Sequence, residues 1–145
     1  MFVHATSVAL KLKGSWQAVL LRGPSGAGKS DLALRLIETG GRLVADDQTH
    51  LARQGRRLIA TPPPPLAGLI EARGVGIVKL ARSQVLARAP LALLVDLVPS
   101  TKVERLPEPA HEIVLGISLK LMAFASFEAS TPVKLRLALA QTAAA

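Results

Sequence analysis

Apolar and polar positions alternate at the start of this chain and then change rhythm. Val8, Leu10 and Leu12, set against Lys11 and Lys13, give Val3–Leu12 the two-residue period of a strand. Gly14-Ser15 turns the chain into Ala18-Val19-Leu20-Leu21, a short apolar run suited to a buried strand. From Lys29 the spacing lengthens: Asp-Leu-Ala-Leu-Arg-Leu-Ile over 31–37 predicts a helix from about Lys29 to Glu38, stopped by Gly40-Gly41. Arg42–Ala45 predicts a strand finishing at Asp46-Asp47, and Thr49–Arg53 with Arg57–Ala60 a hairpin around Gly55. Pro62–Pro65 predicts a stiff polyproline connector. Leu69–Ala72, Ile77–Leu80 and Leu91–Leu97 are strand-like, and Pro132–Leu139 reads as a helix with Thr131 as its cap and Pro132 first in it. The class is α/β: a mixed sheet flanked by helices, in one domain over 1–145, with no internal repeat.

Between the second strand and the first helix stands Gly23-Pro24-Ser25-Gly26-Ala27-Gly28-Lys29-Ser30, a complete phosphate-binding loop of the form G-x-x-x-x-G-K-[ST]. Each residue type has a job. Gly23, Gly26 and Gly28 can take backbone angles closed to other residues, so that successive N–H groups point at phosphate oxygens. Lys29 reaches the outer phosphates as a point charge, and the Ser30 hydroxyl is a ligand for Mg²⁺. Strand, loop and helix in that order set a positive helix terminus under the phosphates. The expectation is a nucleoside triphosphate, ATP, with Mg²⁺.

Composition narrows the setting. A chain of 145 residues supports one core that buries roughly 70% of the unfolded surface. No apolar run approaches a membrane span; the longest candidate, Ala89–Val98, contains Pro90 and Asp96. There is no cysteine and no signal-peptide pattern, so a cytoplasmic protein without disulfides or thiolate metal sites is expected. The net charge is +8, but the basic residues are scattered and the chain has no tyrosine, one tryptophan and three phenylalanines. A nucleic-acid partner is therefore not expected.

A phosphate loop needs acidic partners for Mg²⁺ and for the phosphoryl acceptor. Asp46-Asp47 ends the next predicted strand, where a parallel sheet gathers its chemistry. Adjacent residues of a strand face opposite ways, so only one of the two looks at the phosphates unless the strand has already broken. Glu71-Ala72-Arg73-Gly74-Val75-Gly76 adds another acid, a cation and flexible glycines beside an apolar strand.

Gly23–Ser30, the run from Leu32 into Arg42–Asp47, and Ile70–Ile77 together resemble the catalytic domain of HPr kinase/phosphorylase. That bacterial family phosphorylates a serine of HPr, a phosphocarrier of sugar transport. The resemblance is firm from about Ala18 to Val78. It implies the nucleotide-binding fold shared with phosphoenolpyruvate carboxykinase-like proteins, HPr or a similar carrier as partner, and Asp47 as general base toward the serine. It further implies Glu71 as a second Mg²⁺ ligand, Asp46 as support for the acidic site, and His4 and Arg105 as catalytic residues. His4 is followed by Ala5 where the family has glycine, and it lies farther from the loop. Family members carry an extra N-terminal domain, and their Pro-Gly-Arg-Asn-type segment is not recognisable between Ile113 and Ala129, so this chain resembles a short form better suited to kinase chemistry than to phosphorolysis. The rewritten C-terminal region leaves homo-oligomer formation open. The rival readings are a small-molecule kinase and a regulatory module that binds nucleotide without catalysis.

Overall fold

The computed structural model describes residues 1–144. The strands among them are β1 (Phe2–Val3), β2 (Ala5–Leu12), β3 (Ser15–Arg22), β4 (Arg42–Ala45), β5 (Thr49–Gln54), β6 (Arg57–Thr61), β7 (Leu69–Ala72), β8 (Gly76–Lys79), β9 (Ala89–Leu97), β10 (Ala110–Val114) and β11 (Ile117–Phe124). Two α-helices, α1 (Lys29–Glu38) and α2 (Thr131–Ala144), complete the regular structure with three short 3₁₀ turns.

Nine strands form one mixed sheet in the order β1-β5-β6-β9-β3-β2-β4, with β11 also on β9 and β10 beyond it. The long strand β9 is the spine. Its first residues pair antiparallel with β6, its opposite edge carries β3 in parallel, and Leu93–Leu97 take β11 in parallel. A register shift between Ala18 and Val19 leaves Ala92 unpaired with β3 and resets which side chains face which way. The hairpin β7–β8 is a separate two-stranded ribbon.

Alternation along the strands sorts the apolar side chains into two cores. On one face Val8, Leu10, Val19, Leu21, Leu93 and Val95 pack against Leu32 and Leu36 of α1 and Leu135 and Leu139 of α2. On the other, Ala9, Ala18, Leu20 and Leu94 meet Leu51 and Leu58 of the β5–β6 hairpin and Leu119 of β11. The α/β expectation of a mixed sheet flanked by helices stands. Both helices pack into one core, and the opposite face is closed by the curled sheet itself.

Two local expectations change, and one unassigned region gains a structure. The prolines form an extended connector only in part: Pro63 keeps extended angles (φ −58°, ψ 130°), but Leu66 N–H bonds the Pro63 carbonyl at 2.9 Å, tightening Pro64–Leu66 into a 3₁₀ turn. Thr131 does not cap α2, because its hydroxyl donates to the Ala125 carbonyl and its residue is already helical. The region from Ala110 to Phe124, unassigned from the sequence, is a hairpin around Leu115-Gly116, both at left-handed φ (48° and 81°).

Candidate active site

The loop Gly23–Ser30 joins the C-terminal end of β3 to α1, as the order of motifs requires. Gly26 and Gly28 adopt φ of 85° and 92°, where a side chain is strained. Gly23 does not. Its glycine is needed for closeness, since a Cβ there would stand 2.8 Å from the Ala27 Cβ and 3.4 Å from the Leu97 carbonyl oxygen. Lys29 is buried at 7% exposure, its ammonium donating to the Gly23 carbonyl and, at 3.4 Å, to that of Pro24. The cation is thus held across its own loop.

Below the loop Arg22 anchors the end of β3. Its guanidinium donates to Asp96 of β9 at 2.7 Å and forks onto both oxygens of Glu112 of β10, at 2.6 and 2.9 Å. The hydrogen bonds to Glu112, and then the one to Asp96, raise the Arg22 pKa further above its ordinary value despite burial. Reciprocally, Arg22 holds the Glu112 carboxyl below the usual carboxylate range.

The strand β4 ends at Ala45, and Asp47 takes a left-handed φ of 65°. That break lets both aspartates serve one site. Asp46 accepts hydrogen bonds from the Ser30 hydroxyl at 2.7 Å and the Thr6 hydroxyl at 3.0 Å on one oxygen, and from the Glu71 N–H at 2.9 Å on the other. The Asp47 carboxylate lies 3.2 Å from His4 Nε2, and the Asp47 N–H donates to the Thr6 hydroxyl at 3.1 Å. A single carboxylate therefore ties together the phosphate loop, β2, and the β7–β8 ribbon.

These elements surround a cavity of about 330 Å³ lined by the loop from Pro24 to Asp31 and by Leu34, Asp47, Glu71, Arg73, Val75 and Phe127. The structure thus brings Lys29, Ser30, Asp46, Asp47 and Glu71 together, with His4 touching Asp47 from outside the cavity wall. Arg105 is not among them. It sits exposed on the loop between Lys102 and Ala110 and makes no hydrogen bond or ion pair among the described residues.

Sequence reasoning missed two contributors. Thr6 bridges both aspartates across 40 residues of chain, and nothing local to Thr6 announces it. The segment after β11 also escaped notice. Ser126 donates to the Ala27 carbonyl, and Phe127 lies against Gly28. The one signal was an exposed aromatic between a strand and a helix.

Residues 3–124 match the family described as HPr Serine kinase C-terminal domain. Among curated proteins, an HPr kinase/phosphorylase of Burkholderia cenocepacia is 38% identical over 109 residues, 70% of this chain and 34% of that protein. One from Shouchella clausii is 48% identical over 63 residues, 43% of this chain and 20% of that protein. The chain thus spans about a third or less of these relatives. Among solved structures, the Hpr(Ser) kinase/phosphatase of Coxiella burnetii superposes with a TM-score of 0.81 at 26% identity, covering 99% of this chain and 90% of that one. No helix among the described residues is long and apolar enough to cross a membrane.

Proposed function

This chain belongs to the HPr Serine kinase C-terminal domain family, and on that premise we propose that it is an ATP-dependent serine kinase. Its acceptor is a serine hydroxyl of HPr or a similar small phosphocarrier, and its work in the cytoplasm is control of carbohydrate metabolism. The observation that carries this reading is the single cavity shared by the phosphate loop, Asp47 and Glu71. In-line phosphoryl transfer needs the donor phosphate and the acceptor hydroxyl in one such space, and its loose transition state leaves the protein mainly positioning and charge stabilisation to supply.

The N–H groups of residues 23–30 and the Lys29 ammonium bind the phosphates. Ser30, Asp46 and Glu71 offer hydroxyl and carboxylate oxygens, the hard donors that suit Mg²⁺, so the residues present fit that ion. Ser30 and Glu71 would hold it, and Asp46 orients Ser30 through their 2.7 Å hydrogen bond. When bound, the ion spreads the negative charge of the transferring phosphoryl group. Asp47 takes the proton of the serine hydroxyl as the new oxygen–phosphorus bond forms and the bond from that phosphorus to the departing ADP breaks. In the reverse reaction, phosphorolysis, the same carboxyl returns it. A carboxylate is a weak base at neutral pH, so its orienting of the hydroxyl contributes more than abstraction. His4 steadies Asp47. Arg105 as a further catalytic arginine is supported by family resemblance alone.

The test is direct. The purified chain is incubated with Mg²⁺·ATP and the HPr-type carrier of the same genome, and the carrier is examined for phosphoserine by mass spectrometry. Phosphoserine is the expected result, with its loss on adding inorganic phosphate if phosphorolysis is retained. ATP consumption with an unmodified carrier would replace this reading with a small-molecule kinase. ATP binding without any turnover would replace it with a regulatory module.

A further inference from the structure

Phe127 stands where burial does not explain it. The ring is 69% exposed, whereas Phe124, three residues earlier, is in the core. A single exposed phenylalanine is ordinary; this one is placed. Among the described residues it is the only aromatic lining the cavity of the phosphate loop. It rests on Gly28 so closely that a Cβ there would stand 2.8 Å from its Cζ and 3.0 Å from its Cε1.

The backbone on either side is pinned. Ser126 donates its hydroxyl to the Ala27 carbonyl, within the loop itself. Arg35 of α1 donates to the carbonyls of Ser126 and, at 3.2 Å, Glu128, while paired with Asp31 at 2.9 Å. Thr131 secures the Ala125 carbonyl from the other end. Leu34, also on α1, and Val75 add further apolar side chains to the same cavity. A hydrocarbon ring is therefore held on a braced segment at the rim of a phosphate cradle.

Phosphates seated on that cradle tether a nucleoside to this rim. A base needs a flat apolar partner for its π-face, and a phenyl ring supplies one without any hydrogen-bond requirement. We propose that Phe127 is the platform on which the purine base of the bound nucleotide stacks, with the Arg35 network holding the platform in position. The proposal rests on the nucleotide-binding reading above and adds a base subsite to it.

Calorimetric titration with ATP and with inorganic tripolyphosphate, both with Mg²⁺, separates base from phosphate. In Phe127→Ala, the ATP dissociation constant is expected to rise about tenfold, the size of one lost base–aromatic stack, while tripolyphosphate binding is unchanged. Lys29→Ala should weaken both ligands. Phe127→Trp should keep ATP affinity and show tryptophan quenching with ATP that tripolyphosphate does not produce. Unchanged ATP affinity in Phe127→Ala, or equal losses for ATP and tripolyphosphate, would overturn the stacking role; the second result would make Phe127 a prop for the loop. Failure of the parent protein to bind either ligand would instead remove the nucleotide reading itself.

Discussion

Two walls of the phosphate-loop cavity are built in opposite ways. One is made by neighbours in sequence: β3, the loop 23–30, α1 and then Asp46-Asp47, all within one strand–helix–strand passage. The other is made by residues brought from the far end of the chain, with Ser126 meeting Ala27 across 99 positions and Arg35 meeting Glu128 across 93. The first wall owes its shape to residue types that local backbone geometry demands. The second exists only once β11 has paired with β9 and α2 has docked, so its geometry depends on tertiary packing.

Paired glycine substitutions break this comparison most sharply. At Gly26, with φ of 85° and open space around a would-be Cβ, alanine meets only backbone strain, expected to cost about 1–2 kcal/mol. At Gly28, with φ of 92°, alanine meets the same strain plus the Ser126 hydroxyl at 2.5 Å and the Phe127 ring. The added overpacking raises the expected loss to about 3 kcal/mol or more. Denaturant unfolding of both variants measures the difference; equal losses would show that the distant wall does not press on the loop.

A smaller effect comes from Glu112, which ties the distant hairpin β10–β11 to Arg22 below the loop. Its carboxyl is held below the usual range in the folded protein, chiefly by the hydrogen bonds from Arg22. The pair therefore stabilises the fold fully above the ordinary glutamate pKa of about 4.3, and the contribution disappears as pH falls through the lowered folded value. With 40% of the Glu112 side chain exposed, solvent screening keeps the effect modest. Thermal melts of parent and Glu112→Gln from pH 7 to pH 3 should converge at the acid end, and a constant gap across the range would contradict the linkage.

The same division decides what could be read before folding. The helix 29–38, the strand 42–45 and the hairpin around Gly55 rest on local period and turn chemistry, and the structure places them close to their expected bounds. The break after Ala45 that turns Asp47 into the cavity is a single left-handed residue, which an aspartate tolerates but does not announce. The hairpin β10–β11 is hidden for a related reason. Its turn sets a leucine, Leu115, at left-handed φ where asparagine or glycine is the usual signal. Thr6 and Ser126 carry no local mark at all, and Phe127 only that of an aromatic between a strand and a helix, because each acts through a partner far along the chain. The prolines 62–65 show the converse error: composition suggested an extended segment throughout, and hydrogen bonds to the Pro63 and Pro64 carbonyls curl its second half into a turn.

The most direct measurement compares Asp47→Ala with the parent protein under Mg²⁺·ATP and carrier, with ATP binding determined on the same samples. If Asp47 acts on the acceptor hydroxyl from its place beside the phosphate loop, the rate of phosphoserine formation falls by about 10²-fold or more while ATP affinity is retained. Equal rates of phosphoserine formation in the two proteins would contradict that role.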